Sequence, residues 1–438
     1  MASTTTGGWR SVIGVWQQRK MVSLALLGLA SGLPLFLTSR VLQAWMTVEG
    51  VDLTTIGLFS LVALPYSLKF IWAPVMDRYV PPFLGRRRGW LLITQLAVMA
   101  AIAAMALQDP TQGLQLLAFN ALLIAFFSAS QDIVVDAYRT DVLAESEQGA
   151  GAAIWVLGYR VALLITGALA FVLADRMPWP VVYVVMAALM LIGVGATLWS
   201  PEPVLRERPP QTFLEAVVLP FQEFFQRAGP ARALLVLAFI VLYKFPDYLG
   251  AAMATPFLLE TGFTQTDIGA IQGGLGLSAT IVGALAGGAM VAWLGINRSL
   301  WVMGGLQAVS NLAYYGLSLA GLNYPYLVGA IVIENFCAGL VTAGFIAFLA
   351  AMCSVRFSAT QFALLTSLMG VSRDILVAPF GGVAEAVGWP TYFLITLAAA
   401  LPGLLLLPLF APWNRSSPLG AARHTGETVE EEAAVAKT

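Results

Sequence analysis

The stretch Ser128-Ala-Ser-Gln-Asp132-Ile-Val-Val-Asp136-Ala-Tyr-Arg139-Thr-Asp141 places carboxylates at the end of a long apolar run. Residues 114–127 before it carry no charge. Asp132 and Asp136 are four residues apart, so on a helix they share one face. At 1.5 Å per residue, Asp132 would lie about 8 Å from the midplane of a bilayer that this helix spans. A carboxylate at that depth is costly and is by default functional.

The composition is that of a membrane protein. Of the 438 residues, 59% are hydrophobic and 11% are charged, against about 25% charged in soluble domains. The formal net charge of −1 and the absence of a basic patch argue against a nucleic-acid partner. The sequence also lacks a Walker A motif, GxGxxG, HExxH, CxxC and GxSxG. These absences argue against nucleotide-driven transport and against the commoner enzymes.

Histidine and cysteine chemistry is not expected inside the membrane. The single histidine, His424, lies in the polar tail. Cys337 and Cys353 would lie about 24 Å apart along one helix, too far to form a disulfide with each other. We therefore expect no metal or cofactor, and any proton carrier within the membrane should be a carboxylate.

Windows of about 20 apolar residues predict an all-α integral membrane protein with twelve transmembrane helices, numbered helix 1 to helix 12 below. The first, which follows Arg19-Lys20, is interpreted as an uncleaved span because no small-residue cleavage site closes it. The predicted helices lie near 21–47, 53–76, 90–107, 114–138, 149–174, 179–199, 232–259, 266–294, 299–321, 325–353, 360–387 and 390–411.

The loops set the predicted orientation and domain limits. Nearly all loop lysines and arginines fall on one side, with only Arg176 on the other, so both termini are predicted to be cytoplasmic. The predicted parts are an N-terminal segment (1–20), a six-helix bundle (21–199), a cytoplasmic linker (200–231), a second six-helix bundle (232–411) and a polar tail (412–438). The linker contains a capping box from Thr212 to Glu215 and an apolar face, which favours an interfacial helix. A solvated linker is the alternative, since Pro220 interrupts the pattern.

The two halves repeat. Gly50–Gly57 matches Gly262–Gly269 at an offset of 212, and Gln148 to Arg160 matches Gln361 to Arg373 at an offset of 213. Six spans repeated in one orientation are typical of a six-plus-six transporter whose site lies between the halves near the midplane. Predicted helices 3, 6, 9 and 12 have uncharged cores and can face lipid, as expected for the outer wall of a major facilitator fold.

Three cations lie near the middle of their spans. Arg160, Lys244 and Arg373 at one depth indicate an anionic substrate, and Arg160 and Arg373 are repeat mates. The alternative is that they are neutralised in packing by Asp247 and Asp374. We expect Asp374 to point elsewhere on its helix because it directly adjoins Arg373.

Further side chains are candidates for contact with a substrate. Several aromatic residues could stack on a sugar, although belt or core positions are equally typical of such residues; they are Tyr66, Trp45, Trp72, Tyr243 and Tyr248. Gln131 could hold a sugar hydroxyl. The remaining polar candidates are Arg40, Gln43, Lys69 and Asp247.

Two carboxylates are candidate proton carriers. Asp132 has no cation within one helical turn, and burial favours its neutral form, so it is the first candidate. Asp136 has Arg139 three residues on and is interpreted as an interfacial ion pair. Glu334 of helix 10 is the second candidate carrier, with a hydrogen-bonded packing role as the alternative.

The loop after helix 2 carries Asp77-Arg78 and Gly85-Arg86-Arg87-Arg88. Its arginines obey the positive-inside rule, which is the simpler interpretation. The same pattern resembles a major facilitator loop signature, in which the acid and the arginines form a cytoplasmic latch. We therefore predict that this loop pairs with Asp136 and with the start of helix 11. The predicted gating residues are Asp77, Arg78, Arg86, Arg87, Asp136 and Arg139.

A family resemblance runs nearly end to end. The sequence resembles the AmpG family of muropeptide permeases in a series of motifs in order: Ala30-Ser-Gly-Leu-Pro34, Leu42-Gln-Ala-Trp45, Thr55-Ile-Gly-Leu-Phe59, Met76-Asp-Arg-Tyr79, Gly85-Arg-Arg-Arg-Gly-Trp90, Ser128-Ala-Ser-Gln-Asp132, Thr140-Asp-Val-Leu143, Gly149-Ala-Gly-Ala-Ala153 and Phe357-Ser-Ala-Thr-Gln-Phe-Ala-Leu-Leu365.

The resemblance implies a major facilitator of the inner membrane of Gram-negative bacteria, and we expect it to be a monomer that needs no cofactor. It would import N-acetylglucosaminyl-1,6-anhydro-N-acetylmuramyl peptides with protons, for cell-wall recycling and β-lactamase induction. Such substrates carry carboxylates, which suits a cationic cavity. Arg40 departs from the small residue expected in the family. The alternatives are an exporter of drugs or siderophores, and a membrane sensor of wall fragments that does not transport.

Overall fold

The computed structural model describes residues 18–143, 147–203, 218–353 and 358–415, and these residues form helices without strands. Within these described ranges, ten helices are long and apolar enough to span a membrane. One of them, Gln265–Ala320, is two helices joined at Gly295, whose φ of 78° and ψ of 166° are not helical. A further span is a pair of helices bent by 43°. Counting the first as two and adding the bent pair gives twelve spans, so the predicted all-α membrane fold is confirmed.

The helices lie close to their predicted positions, and several are broken into segments. Their bounds are: helix 1, Arg19–Leu37 and Arg40–Val48; helix 2, Leu53–Ile71 and Ala73–Arg78; helix 3, Arg86–Met105; helix 4, Leu114–Val142; helix 5, Gln148–Leu164, Ile165–Leu169 and Ala170–Ala174; helix 6, Trp179–Trp199; helix 7, Pro230–Glu260; helix 8, 265–294; helix 9, 296–320; helix 10, Tyr324–Met352; helix 11, Ser358–Val371, Ser372–Leu376 and Phe380–Val387; helix 12, Trp389–Ala398 and Ala400–Phe410.

The linker forms a short helix, Leu219–Ala228, before helix 7. The predicted capping box lies outside the described residues. Pro220 is in the first helical turn, where a missing N–H costs nothing, so it begins the helix rather than interrupting it. Phe224 is buried, and Arg227 donates a 2.7 Å hydrogen bond to the carbonyl of Met352 at the end of helix 10. The linker helix therefore packs on the second half of the chain.

The sequence repeat is also a repeat of local structure. Asp52 caps helix 2 by accepting a 2.8 Å hydrogen bond from the Thr55 N–H, and Thr264, 212 residues later, caps helix 8 through the Asp267 N–H at 3.1 Å. Each cap follows a glycine with positive φ, 77° and 102° respectively. Hydrogen bonds from the hydroxyl and N–H of Thr55 lower the pKa of Asp52 below its ordinary value.

The halves approach each other on one side of the bundle. Arg19 at the start of helix 1 donates to the carbonyl of Trp199 at the end of helix 6 at 2.6 Å, so the side where the chain begins also holds the end of the first half. We call this the terminal side and the opposite one the far side. On the far side, a Cβ added to Gly57 would come within 2.8 Å of the Gly381 nitrogen. Helices 2 and 11 therefore pack backbone to backbone there.

The repeat-related pair of helices makes the equivalent contact. Gly269 of helix 8 lies 212 residues after Gly57, and a Cβ on it would come within 2.7 Å of the Ala168 carbonyl oxygen of helix 5. Among the described residues, the side-chain hydrogen bonds that join the two halves lie on the far side or near the middle of the spans. The structure is closed on the far side, a state that we call far-closed.

The helices with uncharged cores expose large apolar side chains. Leu191 and Leu198 of helix 6 are 56% and 51% exposed, and Leu405 of helix 12 is 74% exposed. Apolar side chains of this kind can face lipid at little energetic cost. These exposed faces leave the charged helices to line the interior.

Candidate substrate cavity and carboxylate sites

A cavity of about 210 Å³ lies between the halves, lined by helices 1, 2, 7 and 11. These helices come from both repeats, as the sequence predicted for a site between the halves. Four of the predicted binding residues line it: Arg40, Gln43, Tyr66 and Arg373. Tyr248, another of the predicted aromatic residues, and Asp374 also line it, together with Thr38, Ser39 and Ser60, which the sequence analysis did not select.

Arg40 reaches the cavity because helix 1 is broken just before it. Ser39 has a φ of −126° and a ψ of −101°, outside the helical region, and its hydroxyl donates to the Leu35 carbonyl at 2.8 Å. The guanidinium of Arg40 lies 5.0 Å from the centre of the Phe36 ring, a cation–π contact. The added cation noted in the sequence therefore faces the cavity.

Arg373 is paired with its neighbour in the chain, contrary to expectation. Its Nε donates to Oδ1 of Asp374 at 2.6 Å and its Nη2 donates to Oδ2 at 3.2 Å. The prediction that Asp374 points away was wrong because it assumed a regular α-helix. Residues Ser372–Leu376 form a π-helical segment, whose wider turn brings successive side chains closer together, and the arginine side chain is long enough to fold back.

Asp374 also joins the two halves. Its Oδ2 accepts a 2.8 Å hydrogen bond from Ser67, and its carbonyl oxygen accepts a 2.9 Å hydrogen bond from Ser60, both on helix 2. The Asp374 side chain is 1% exposed, whereas that of Arg373 is 41% exposed, because the arginine faces the cavity. In the sequence, the signal for this site was the pair of adjacent opposite charges, Arg373 and Asp374, in the middle of helix 11.

Lys244 and Asp247 form a buried ion pair, with Nζ 2.5 Å from Oδ2. The lysine also donates to the Thr342 hydroxyl at 3.2 Å and lies 5.8 Å from the Tyr248 ring centre. Neither partner lines the central cavity, and Oδ1 of Asp247 has no hydrogen-bond partner among the described residues. This geometry is the neutralised packing that the sequence analysis gave as the alternative to a substrate role.

Two other predicted binding residues lie outside the cavity. Trp45 is 2% exposed and stacks on Trp179 at 6.3 Å, with Tyr183 at 5.3 Å, so it belongs to the core between helices 1 and 6. Arg160 is half-buried on helix 5 and is not among the residues lining the cavity. Of the three mid-span cations, Arg373 alone faces the central space in this far-closed form.

Asp132 lies in a polar region between helices 1 and 4. Its Oδ1 is buried and has no hydrogen-bond partner among the described residues. The neighbouring Gln131 is fully buried and donates to the Ser31 hydroxyl of helix 1 at 3.4 Å. Gln131 therefore sits in a helix contact, while Asp132 keeps an oxygen unpaired.

Asp136, one turn nearer the terminal side, is paired as predicted with Arg139, at 3.4 Å. It also has Lys69 of helix 2 at 3.9 Å. Lys69 was predicted to contact substrate, but it points to this ion-pair cluster and not into the cavity. The lysine comes from another helix, so spacing along helix 4 could not reveal it.

Glu334 is buried on helix 10, with 6% of its surface exposed. Its charged neighbours are Asp247, Lys244 and Arg40. The carboxylate therefore lies between the ion pair of helix 7 and the cation of helix 1 that lines the cavity.

The arginine loop binds carboxylates other than the predicted one. Arg87 lies 2.7 Å from Asp141 at the end of helix 4, not at Asp136, and its backbone N–H donates to Glu202 at 3.0 Å. The guanidinium of Arg88 donates to the carbonyls that end helix 6, and Arg86 begins helix 3. The side chains of Asp77 and Arg78, with the start of helix 11, lie outside the described part of the chain.

Solved structures with this fold are transporters. The D-xylose-proton symporter matches with a TM-score of 0.70 over 92% of this chain and 99% of that one, at 10% identity. A peptide transporter POT in complex with sulfate matches with a TM-score of 0.69 over 90% and 95%, at 13% identity. These likenesses show the fold: two six-helix repeats around a central cavity.

The sequence comparisons identify the class of protein and the family within it. The family model described as Major Facilitator Superfamily matches residues 24–322. "Anhydromuropeptide permease" of Escherichia coli (strain K12) is 49% identical over 396 residues, covering 90% of this chain and 80% of the relative. "Putative transporter AmpG 4" of Rickettsia felis is 31% identical, covering 90% and 97%. The chain belongs to the AmpG family of the Major Facilitator Superfamily, a family of transporters rather than enzymes.

Proposed function

We propose that this protein imports anhydromuropeptides, that is N-acetylglucosaminyl-1,6-anhydro-N-acetylmuramic acid and its peptides, across the bacterial inner membrane together with protons. The observation that carries the proposal is the 49% identity to an anhydromuropeptide permease over 90% of this chain. Import would return wall fragments for recycling and supply the inducers of chromosomal β-lactamase. The protein would act as a monomer in contact with lipid, with both termini in the cytoplasm.

The chemistry of the cavity suits such a ligand. Arg40 and Arg373 offer guanidinium groups for the lactyl carboxylate of the peptide-free disaccharide or for the carboxylates of the peptide in the longer ligands. Tyr66 and Tyr248 offer rings and hydroxyls for the sugars, and Gln43 an amide. The Tyr66 hydroxyl is buried without a hydrogen-bond partner among the described residues, so a sugar hydroxyl would satisfy it.

The size of the cavity indicates which state this is. Ligand pockets commonly measure about 300–1,000 Å³, whereas the central cavity holds about 210 Å³. It would accept one sugar ring or one peptide end but not the whole ligand. We infer that the far-closed form follows release on the terminal side, and that the far side must open for the next substrate.

Proton coupling would use one carboxylate in each half. Asp132 has a buried, unpaired oxygen, and Glu334 is buried beside charged groups of helices 1 and 7. Protonation of either one removes a charge that is costly to bury when the halves move. The bundles 21–199 and 232–411 would move as units around the cavity, and the linker helix would move with the second bundle. Arg86 and Arg87 of the loop after helix 2 would help to close the terminal side when the far side is open.

Uptake into proteoliposomes tests the function. Purified protein in vesicles with an acidic exterior should accumulate a labelled N-acetylglucosaminyl-anhydromuramyl tripeptide, and a protonophore should abolish accumulation. Binding without accumulation would support the sensor instead. Transport of a drug or siderophore outwards, with no effect of the muropeptide, would support the exporter.

A further inference from the structure

We propose that Asp374 takes the place of a substrate carboxylate on Arg373 when the carrier is empty, and that an anionic substrate displaces it and so loosens the contact between helices 2 and 11. The proposal rests on the anionic substrate proposed above. It assigns Asp374 as a positioning residue that links binding to movement of the halves.

The contact between the two residues is the one that a bound carboxylate would make. Asp374 meets two donors of the Arg373 guanidinium with its two oxygens, at 2.6 and 3.2 Å. Bidentate pairing of this kind is the preferred way for arginine to bind a carboxylate. Both residues line the cavity, but the arginine is the more accessible partner, because its side chain is 41% exposed and that of Asp374 is 1% exposed. A substrate carboxylate that bound Arg373 would therefore compete with Asp374 for the hydrogen-bond donors of the guanidinium group.

The same aspartate holds the halves together. Oδ2 of Asp374 accepts the Ser67 hydroxyl of helix 2 at 2.8 Å while it also accepts from Arg373. Gly370, one turn earlier on helix 11, leaves room for this serine, since a side chain at 370 would collide with its hydroxyl. Movement of Asp374 away from Arg373 thus breaks a hydrogen bond between the halves. Substrate binding and release of this contact favour each other, as linkage requires.

The repeat provides a comparison within the molecule. Arg160, the mate of Arg373, is followed by Val161, so the first half has no carboxylate at the equivalent position. An arginine at this place in the fold therefore does not need an adjacent acid for packing. Of the two repeat mates, Arg373 lines the cavity and is the one followed by an aspartate. An aspartate at this position can occupy the guanidinium group while no ligand is bound.

Binding measurements on the full chain test the placeholder. Asp374→Asn should bind N-acetylglucosaminyl-anhydromuramic acid about tenfold more tightly than the wild type, because the competing charge is gone. The methyl ester of the same disaccharide should bind both proteins equally. Asp52→Asn removes a carboxylate from the far-side loop and serves as the matched control, with no expected change. Unchanged or weaker binding by folded Asp374→Asn, or an equal gain for the ester, would overturn the proposal.

A simple carboxylate separates this idea from the identity of the substrate. D-Lactate binding, followed by intrinsic fluorescence, should strengthen in Asp374→Asn and be lost when Arg373→Gln is added. If that holds while the disaccharide does not bind the wild type, the proposed substrate is wrong and the placeholder stands. If lactate binding does not respond to either change, the placeholder is wrong.

The link to movement has its own readout. Spin labels at Glu49→Cys and Leu322→Cys, exposed far-side positions in opposite halves, should move apart in Asp374→Asn without ligand, in a background with the native cysteines replaced. The wild type should show the same change when it binds the disaccharide. Distances that stay at the wild-type value in folded Asp374→Asn would refute the coupling between Asp374 and the far side.

Discussion

Glu385 of helix 11 accepts two hydrogen bonds from Thr54 in the first turn of helix 2, at 3.3 Å from the N–H and 2.8 Å from the hydroxyl. The repeat-related contact is made by Asp175 at the end of helix 5, which accepts the N–H of Thr266 in helix 8 at 2.5 Å. Each half thus places a carboxylate on a helix N-terminus of the other, where negative charge is favourable. The far side is closed by two contacts of the same kind.

Replacing these acids should open the far side. Because one charge-assisted bond at a helix N-terminus is worth about 1 kcal/mol, Glu385→Gln or Asp175→Asn should each increase the far-open population roughly fivefold. The double variant should show the larger shift. Distances between spin labels on far-side loops measure it. Asp109→Asn is the control, because the Asp109 carboxylate accepts hydrogen bonds from Thr111 in its own loop; an equal shift there would mean that net charge, and not the contacts, is responsible.

Arginine 373 should matter more for binding than its repeat mate. Arg373→Gln removes the guanidinium that faces the cavity, and loss of a charged hydrogen bond costs about 1.5–3 kcal/mol, so binding of a muropeptide should weaken about tenfold or more. Arg160→Gln should have a smaller effect because this side chain does not line the cavity. Dissociation constants for the tripeptide and for the peptide-free disaccharide measure both. An equal loss for the methyl ester of the disaccharide, which has no carboxylate, would indicate a structural role for Arg373.

Asp132 should be required for coupling but not for binding. Asp132→Asn imitates the protonated carboxyl permanently, so accumulation driven by a pH difference should be lost while substrate binding and counterflow exchange persist. Glu334→Gln is the parallel variant in the second half. Accumulation and counterflow are measured in the same vesicles. Normal accumulation by Asp132→Asn, with the wild-type dependence on pH, would transfer the proton site to Glu334.

The buried Lys244–Asp247 pair should show strong coupling in stability. Asp247→Asn leaves the lysine charged and unpaired in the interior, which costs about 3–5 kcal/mol, so the protein should melt well below the wild type. The double replacement Lys244→Met with Asp247→Leu removes both charges and should recover most of that loss. Thermal melting of the single and double variants in detergent measures the interaction. Additive losses would show that the two residues act independently.

The sequence by itself was sufficient to predict the spans, their number and their repetition. The length of an apolar segment and the positions of charges around it are local properties, and they determine whether and in which orientation the segment spans a bilayer. The repeat found at an offset of 212 even located the matching helix caps at Asp52 and Thr264. The repeat also predicted a site between the halves, and four of the predicted binding residues line the cavity there.

Only the tertiary structure decided what each buried charge faces. Arg373 contacts Asp374 within a π-helical segment. Arg40 faces the cavity because helix 1 is broken after Leu37. Lys69 contacts Asp136 on another helix and does not line the cavity. Lys244 and Asp247 fitted either a binding or a packing role until their 2.5 Å contact was known. Hydropathy and helical spacing describe a helix as regular and alone, whereas the direction of a charged side chain depends on local breaks and on partners that come from elsewhere in the chain.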